Sequence, residues 1–182
     1  MSLTRKDWLE GARTLMVEKG IAAVKVEVLA RRLGVSKGSF YWHFKNRDDL
    51  LSDLLNYWAS VTDELIRHGS QTPSAKDRLA HLFAAIAAAG TSGEEVIQVW
   101  AKHDENVAAV VQQVETKRIN YLQAIFEQGG FESKAARERA EITYLAFLGY
   151  AFKRSQDSAF KLEFTDLGQE ISNIMFERIK DA

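Results

Sequence analysis

With 182 residues, 46% hydrophobic and 27% charged, the chain is long and apolar enough to bury a core and is no disordered tail. It contains no Cys, which excludes a disulfide framework and thiolate chemistry, and its opening "MSLTRKDWLEGARTLM" turns charged at once, so no signal peptide or membrane span is expected and the cytoplasm is the expected compartment. The net charge of −1 hides a division at Arg47: residues 1–47 hold ten Lys/Arg against four Asp/Glu, or +6, and residues 48–182 hold fourteen against twenty-one, or −7, so the basic end points to an anionic partner.

One Pro in 182 residues, among many Ala, Leu, Glu and Lys, favours helix along the whole chain. The first predicted helix covers residues 4–19, with Thr4 and Asp7 in capping-box spacing, Trp8, Leu9, Ala12, Leu15 and Met16 on one face, and a stop at Gly20. The second covers 26–33 and ends at Gly34; a third starts after Ser36 as N-cap and ends near His43. Asn46 with Asp49 opens a long fourth helix, 47–67, in which Leu50, Leu54, Trp58, Val61 and Leu65 recur every three or four residues. Pro73 fits the first turn of the next, whose face is Leu79, Leu82, Phe83 and Ile86. Ser92 with Glu95 forms a capping box before "VIQVWAKH", and Asp104 caps "ENVAAVVQQVETKRINYLQAIFEQ", which ends at Gly129 and Gly130. Ser133 caps a helix through about Phe152 and Thr165 a last one through about Ile179. No hairpin, repeat or low-complexity linker interrupts them, so the expected fold is all-α, with about nine helices.

The second and third helices, joined by Gly34-Val35-Ser36, have the dimensions of a helix-turn-helix. Leu29, Ala30, Leu33, Val35 and Phe40 face inward, and Phe44, four residues after Phe40, follows it to the core with Leu15. Phe40, Tyr41 and Trp42 are consecutive, and one thin helix cannot bury all three, so part of the trio is left for contact. A Tyr hydroxyl and a His N–H suit phosphate oxygens, and the broad indole of Trp42 can pack on sugar or on a thymine methyl.

"GVSKGSFYWHFKNRDDL" resembles the signature of TetR-type transcriptional regulators, and "DWLEGARTLMVEKG" resembles the helix that precedes it. The resemblance is strong over residues 4–55 and rests on helix count beyond them. It implies a DNA-binding domain over 1–47 and a ligand-binding and dimerisation domain over 48–182. It further implies a homodimer on double-stranded DNA, a repressor on a palindromic operator, released by a small-molecule effector. Base contacts would come from Lys37, Gly38, Ser39 and Trp42, and phosphate contacts from Lys25, Tyr41, His43 and Arg47, with Ser36 and Lys45 in the same surface. The sequence departs from the family at Val24, which can neither cap the second helix nor bind phosphate, and at Glu27, whose carboxylate is expected to pair with Arg31 four residues on.

By the same resemblance, the last two long helices would pair with their copies through Leu145, Leu148, Leu167, Ile171, Ile174 and Met175. An effector pocket would draw on Trp58, Phe83, Trp100, His103, Tyr121, Tyr144, Phe147 and Tyr150, aromatics with polar tips that can wall a cavity as readily as a core. The fourth helix, with Arg47 at one end and Trp58 two to three turns on, would carry the effector's signal. His103-Asp104-Glu105 splay around a helix and lack ligand spacing, and no Ser elbow or Gly-rich phosphate loop occurs, so no metal, cofactor or catalytic function is expected. Residues alone leave open a helix-turn-helix adaptor for a protein partner, or an all-helical small-molecule carrier.

Overall fold

The computed structural model describes residues 3–69, 74–157 and 159–177. Among them are nine α-helices and no strand: α1 (Arg5–Lys19), α2 (Val26–Arg32), α3 (Lys37–Tyr41), α4 (Arg47–Gly69), α5 (Ala75–Ala89), α6 (Glu94–Ala101), α7 (Glu105–Gln128), α8 (Ser133–Gln156) and α9 (Phe164–Phe176), with a 3-10 turn at Ile21–Ala23. Pro73 and Ile179 lie outside the described residues. Three expected caps are present: Thr4 and Asp7 form a reciprocal capping box, Asn46 Oδ1 accepts from the Asp49 N–H, and Asp104 Oδ1 accepts from Asn106 and Val107. Two are not. Glu132 and Glu163 hold the N-cap positions of α8 and α9, and the Ser133 hydroxyl instead donates to Glu127, a reach between helices that outcompetes capping its own.

Two compact units result. The first runs through Ser60 and takes in Val96–Val111; the second takes Val61–Glu95 and continues from Gln112. Charge and packing divide the chain at different places: the charge changes sign after Arg47, whereas Leu50, Leu51, Leu54 and Leu55 of α4 are buried in the first unit's core. That core is closed by rings. Phe40 is fully buried, edge-on to Trp8 at 5.3 Å and stacked on Phe44 at 5.2 Å. Gly34 permits the turn into α3 because the chain there adopts φ 69°, after which the Val35 N–H donates to the Ala30 carbonyl.

Arginines brace this unit. Arg5 bonds Asp53 through Nε at 2.7 Å, lies over the Phe44 ring at 4.1 Å and donates to the His43 carbonyl, joining α1, the end of α3 and α4. Arg32 makes a two-pronged pair with Glu18, fastening α2 to α1.

In the second unit α9 lies against α5 at Gly168, where a Cβ would meet the Phe83 ring at 2.4 Å, so only Gly lets the two helices approach this closely. Arg139 lies over Phe131 at 4.1 Å and donates to the Met175 carbonyl, tying α8 to the end of α9.

Phe40 and Trp42 stand two residues apart with opposite burial, so truncation separates them. Phe40→Ala should cost about 3–5 kcal/mol in urea unfolding, through lost transfer energy and the cavity left behind, whereas Trp42→Ala should stay within about 0.5 kcal/mol.

Candidate nucleic-acid interface

α3 has only five residues, and its orientation is set by Phe40 beneath it. With Phe40 pointing inward, a 100° step per residue turns its neighbours away from the core. Tyr41 is 61% exposed and Trp42 87%. Large exposed rings beside charge mark a contact surface rather than a packing surface. Ser36, Gly38, Ser39, Trp42 and His43 line one open cleft of about 560 Å³ together with Leu3 and Val35, which the sequence did not suggest as contact residues. Five of the expected contact residues thus meet in one concavity.

The remaining contact candidates sit around it. Lys25, at the N-cap of α2, is exposed and makes no side-chain cap bond. Lys45 is exposed and donates its backbone N–H to Asp49. His43 is half-buried and its carbonyl accepts from Arg5. Arg47 is turned inward, with Nε donating to the Val24 carbonyl at 2.6 Å and Nη2 to the Ile21 carbonyl at 3.0 Å. Its guanidinium therefore holds the start of α4 against the turn before α2.

Glu27 corrects an expectation. It pairs not with Arg31 but with Lys37, Nζ to Oε1 at 2.7 Å, because the turn at Gly34 folds the start of α3 back to the start of α2. The Lys37 bond holds the Glu27 carboxyl below the usual carboxylate range.

A model of the bacterial regulatory proteins of the tetR family matches residues 9–54, the segment that builds this surface. The HTH-type transcriptional regulator AcrR of Shigella flexneri is 34% identical over 62 residues, covering 34% of this chain and 29% of that protein. Over residues 9–54 this chain is thus similar to the tetR-family regulators. The chain spans under a third of the length of AcrR, so the sequence likeness concerns one part of each protein. A TetR transcriptional regulator from Legionella pneumophila has the same fold, with a TM-score of 0.79 at 15% identity over 97% of this chain and 99% of that one. FadR from Bacillus subtilis, solved in complex with stearoyl-CoA, gives 0.73 at 15% identity over 97% and 100%. AcrR is named a transcriptional regulator. Among the described residues no helix is long and apolar enough to cross a membrane.

The eight aromatic and His pocket candidates fall in both units. Trp58 and Trp100 are half-buried against the first unit's core, and His103 is exposed after α6. Phe83, Tyr144, Phe147 and Tyr150 belong to one ring cluster of the second unit, gathered around Phe164, with centroids 5.1 Å from Phe83, 6.0 Å from Phe147 and 4.9 Å from Tyr150. Tyr144 joins through Phe147 at 6.1 Å, while Tyr121 lies apart, under Arg78. Phe164, the hub, went unremarked in the sequence because a single aromatic at a helix start has no periodic partner.

Beside these rings Arg118 is half-buried, with Nη1 on Glu94 at 2.7 Å, Nε on Thr62 at 3.0 Å and its guanidinium 5.4 Å from the Phe147 ring. The Tyr144 hydroxyl donates to Glu115, and burial raises its pKa well above the usual phenol range. Burial likewise pushes the Glu95 carboxyl up, with Glu94 adding to it.

Of the six candidate dimer residues, Leu145 and Ile174 are exposed, Leu148, Leu167 and Met175 are half-buried against the second core, and Ile171 is inside it. Replacing Arg118 by Met should destabilise the protein by about 3 kcal/mol, since it takes the cation from beside a buried carboxylate; thermal or urea unfolding of Arg118→Met and of Arg118→Lys, which keeps the charge, measures this.

Proposed function

We propose that the protein is a ligand-responsive transcriptional regulator of the cytoplasm, a repressor that binds a palindromic duplex operator as a homodimer and is released by a small-molecule effector. The observation that carries this reading is α3 itself: a short helix anchored by Phe40 that turns Tyr41 and Trp42 to solvent beside Lys37 and Ser39. A helix of this width fits the major groove, where Lys37, Gly38, Ser39 and Trp42 meet base edges and Lys25, Tyr41 and His43 meet phosphates, with Ser36 and Lys45 flanking them. Arg47 contributes chiefly by positioning, since two of its donors are bonded to backbone carbonyls.

Two copies are required to read a palindrome, and α8 supplies a face for them. Its inner side, with Ala136, Ala140, Tyr144 and Tyr150, is buried. Ile142, Leu145 and Phe152 lie on another side and are 52%, 64% and 60% exposed, with Gly149 between the last two. Spacing of 3, 4 and 3 residues puts all four on one stripe, and Ile174 of α9, 61% exposed, adds to the same second-unit surface. The effector reading rests on the ring cluster around Phe164 in the unit that does not carry α3, and on a neighbour of the same fold that was solved with stearoyl-CoA.

Electrophoretic retardation of random-sequence duplex at rising salt tests the DNA reading, and sequencing the retained pool gives the operator. Binding should fall linearly in log–log form, by about 0.9 per phosphate neutralised, and Trp42→Ala should weaken operator binding about tenfold at unchanged melting temperature. Absence of salt-sensitive retention rejects the reading. Leu145→Glu should leave a folded monomer in analytical ultracentrifugation that binds the palindrome no better than a half-site, because a charge on the stripe opposes its own copy.

A further inference from the structure

We infer that Glu27 is a specificity-determining residue that acts through Lys37, competing with the acceptors of the duplex for its ammonium so that Lys37 strengthens binding only where the DNA places an acceptor well enough to displace the carboxylate. The inference rests on the DNA-binding reading above. Glu27 stands in the first turn of α2 and Lys37 opens α3, and their side chains meet at 2.7 Å while remaining 54% and 58% exposed. Lys37 and Tyr41 are four apart on α3, so the ion pair shares the side of the helix that presents the Tyr41 ring. Lys25 also acts on the carboxylate from two residues away, and among the described residues Glu27 makes no ion pair with Arg31.

An ion pair this exposed adds little to folding stability, because water and salt screen it and two long side chains must be held still. Its effect on binding is larger. A lysine that engages a phosphate normally releases a counterion from the duplex, which is the sequence-independent part of DNA affinity. Here the same event strips Glu27 of its partner and leaves a bare carboxylate beside the phosphate backbone, which offsets the gain. At a random site, where phosphates and base edges are undirected, the pair stays closed. At the operator a base-edge or phosphate oxygen held in register can outcompete Oε1, and the energy of opening is recovered by a directed bond. Glu27 thus lowers background affinity more than operator affinity and widens the ratio between them, the quantity that matters among many competing sites.

The experiment measures dissociation constants for random duplex and for the selected operator over a salt series. It uses wild type, Glu27→Gln, Lys37→Met and the double variant, each checked by circular dichroism for an unchanged melting curve. Glu27→Gln keeps size and shape and should tighten random-duplex binding about fivefold, steepen its salt dependence by about 0.9 and tighten operator binding less, so that the ratio falls. In the Lys37→Met background the same substitution should change random-duplex affinity by less than about twofold, because the competitor then has nothing to hold. An equal gain with and without Lys37 overturns the inference, since Glu27 would then act by its own repulsion. No gain, in a wild type that does bind duplex, overturns it too. A wild type that binds no duplex overturns instead the regulator reading on which it rests.

Discussion

The reading surface depends on the burial of one side chain, Phe40. A helix of five residues cannot hold itself in water, since nucleation fixes several dihedrals for one hydrogen bond. α3 exists because its one inward residue is clamped between Trp8 and Phe44 in the first unit's core. The direction of every other α3 side chain follows from that clamp and from helical rotation. The trio of aromatics therefore does two different things: Phe40 fixes the helix, and the two rings after it are outside because the first is inside. Arg5 and Arg47 extend the constraint, one to the carbonyl at the end of α3 and the other to the carbonyls before α2, so both ends of the helix-turn-helix are tied to α1 and α4 by guanidinium bonds.

Charge over residues 1–47 is less uniform than +6 suggests. Several cations are committed within the fold: Arg5 to Asp53, Arg32 to Glu18, Arg47 to carbonyls. Of the exposed cations around α3 and the start of α2, Lys37 has a carboxylate at ion-pair distance. Formal charge thus overstates the electrostatic footprint. Asp48 and Asp49 in the first turn of α4 do not contradict an anion-binding role for this end, because they answer the helix dipole and, at Asp49, the Lys45 N–H.

What the sequence made legible was local. Capping by Thr4, Asn46 and Asp104 depends on a partner two or three residues away, and the inward pair Phe40 and Phe44 on a spacing of four, so both could be read without the fold. The readings that did not survive involve competition between a local partner and a distant one. Arg31 is nearer to Glu27 in sequence, but the Gly34 turn brings Lys37 nearer in space; Ser133 could cap α8, but Glu127 reaches it first. The commitment of Arg47 to Ile21 and Val24, 26 and 23 residues away, has no sequence signal at all. The same holds for Arg118 and Glu94, and for Phe164 as the hub of the rings, since each is defined by helices that meet only in the folded second unit.

α8 shows how far such a pattern can be pressed. A surface helix with one apolar stripe is explained by the core it covers, but α8 has a second one. Ala136, Ala140, Tyr144, Tyr150 and Ala151 already account for its packing in the second unit, and Ile142, Leu145 and Phe152 contribute nothing to that core. Leaving three large apolar side chains in water forgoes roughly 25 cal/mol for each square ångström that could be covered, so a stripe in register over three turns points to a cover. A two-fold pair asks for self-complementarity, and the stripe has the shape for it: Gly149, with no neighbouring atom within 4 Å of a Cβ placed there, leaves a gap between Leu145 and Phe152 into which the same side chains of a second copy can fit. In the proposed dimer the groove that receives the partner is thus formed by a residue with no side chain, and any larger residue at 149 would hold the two helices apart.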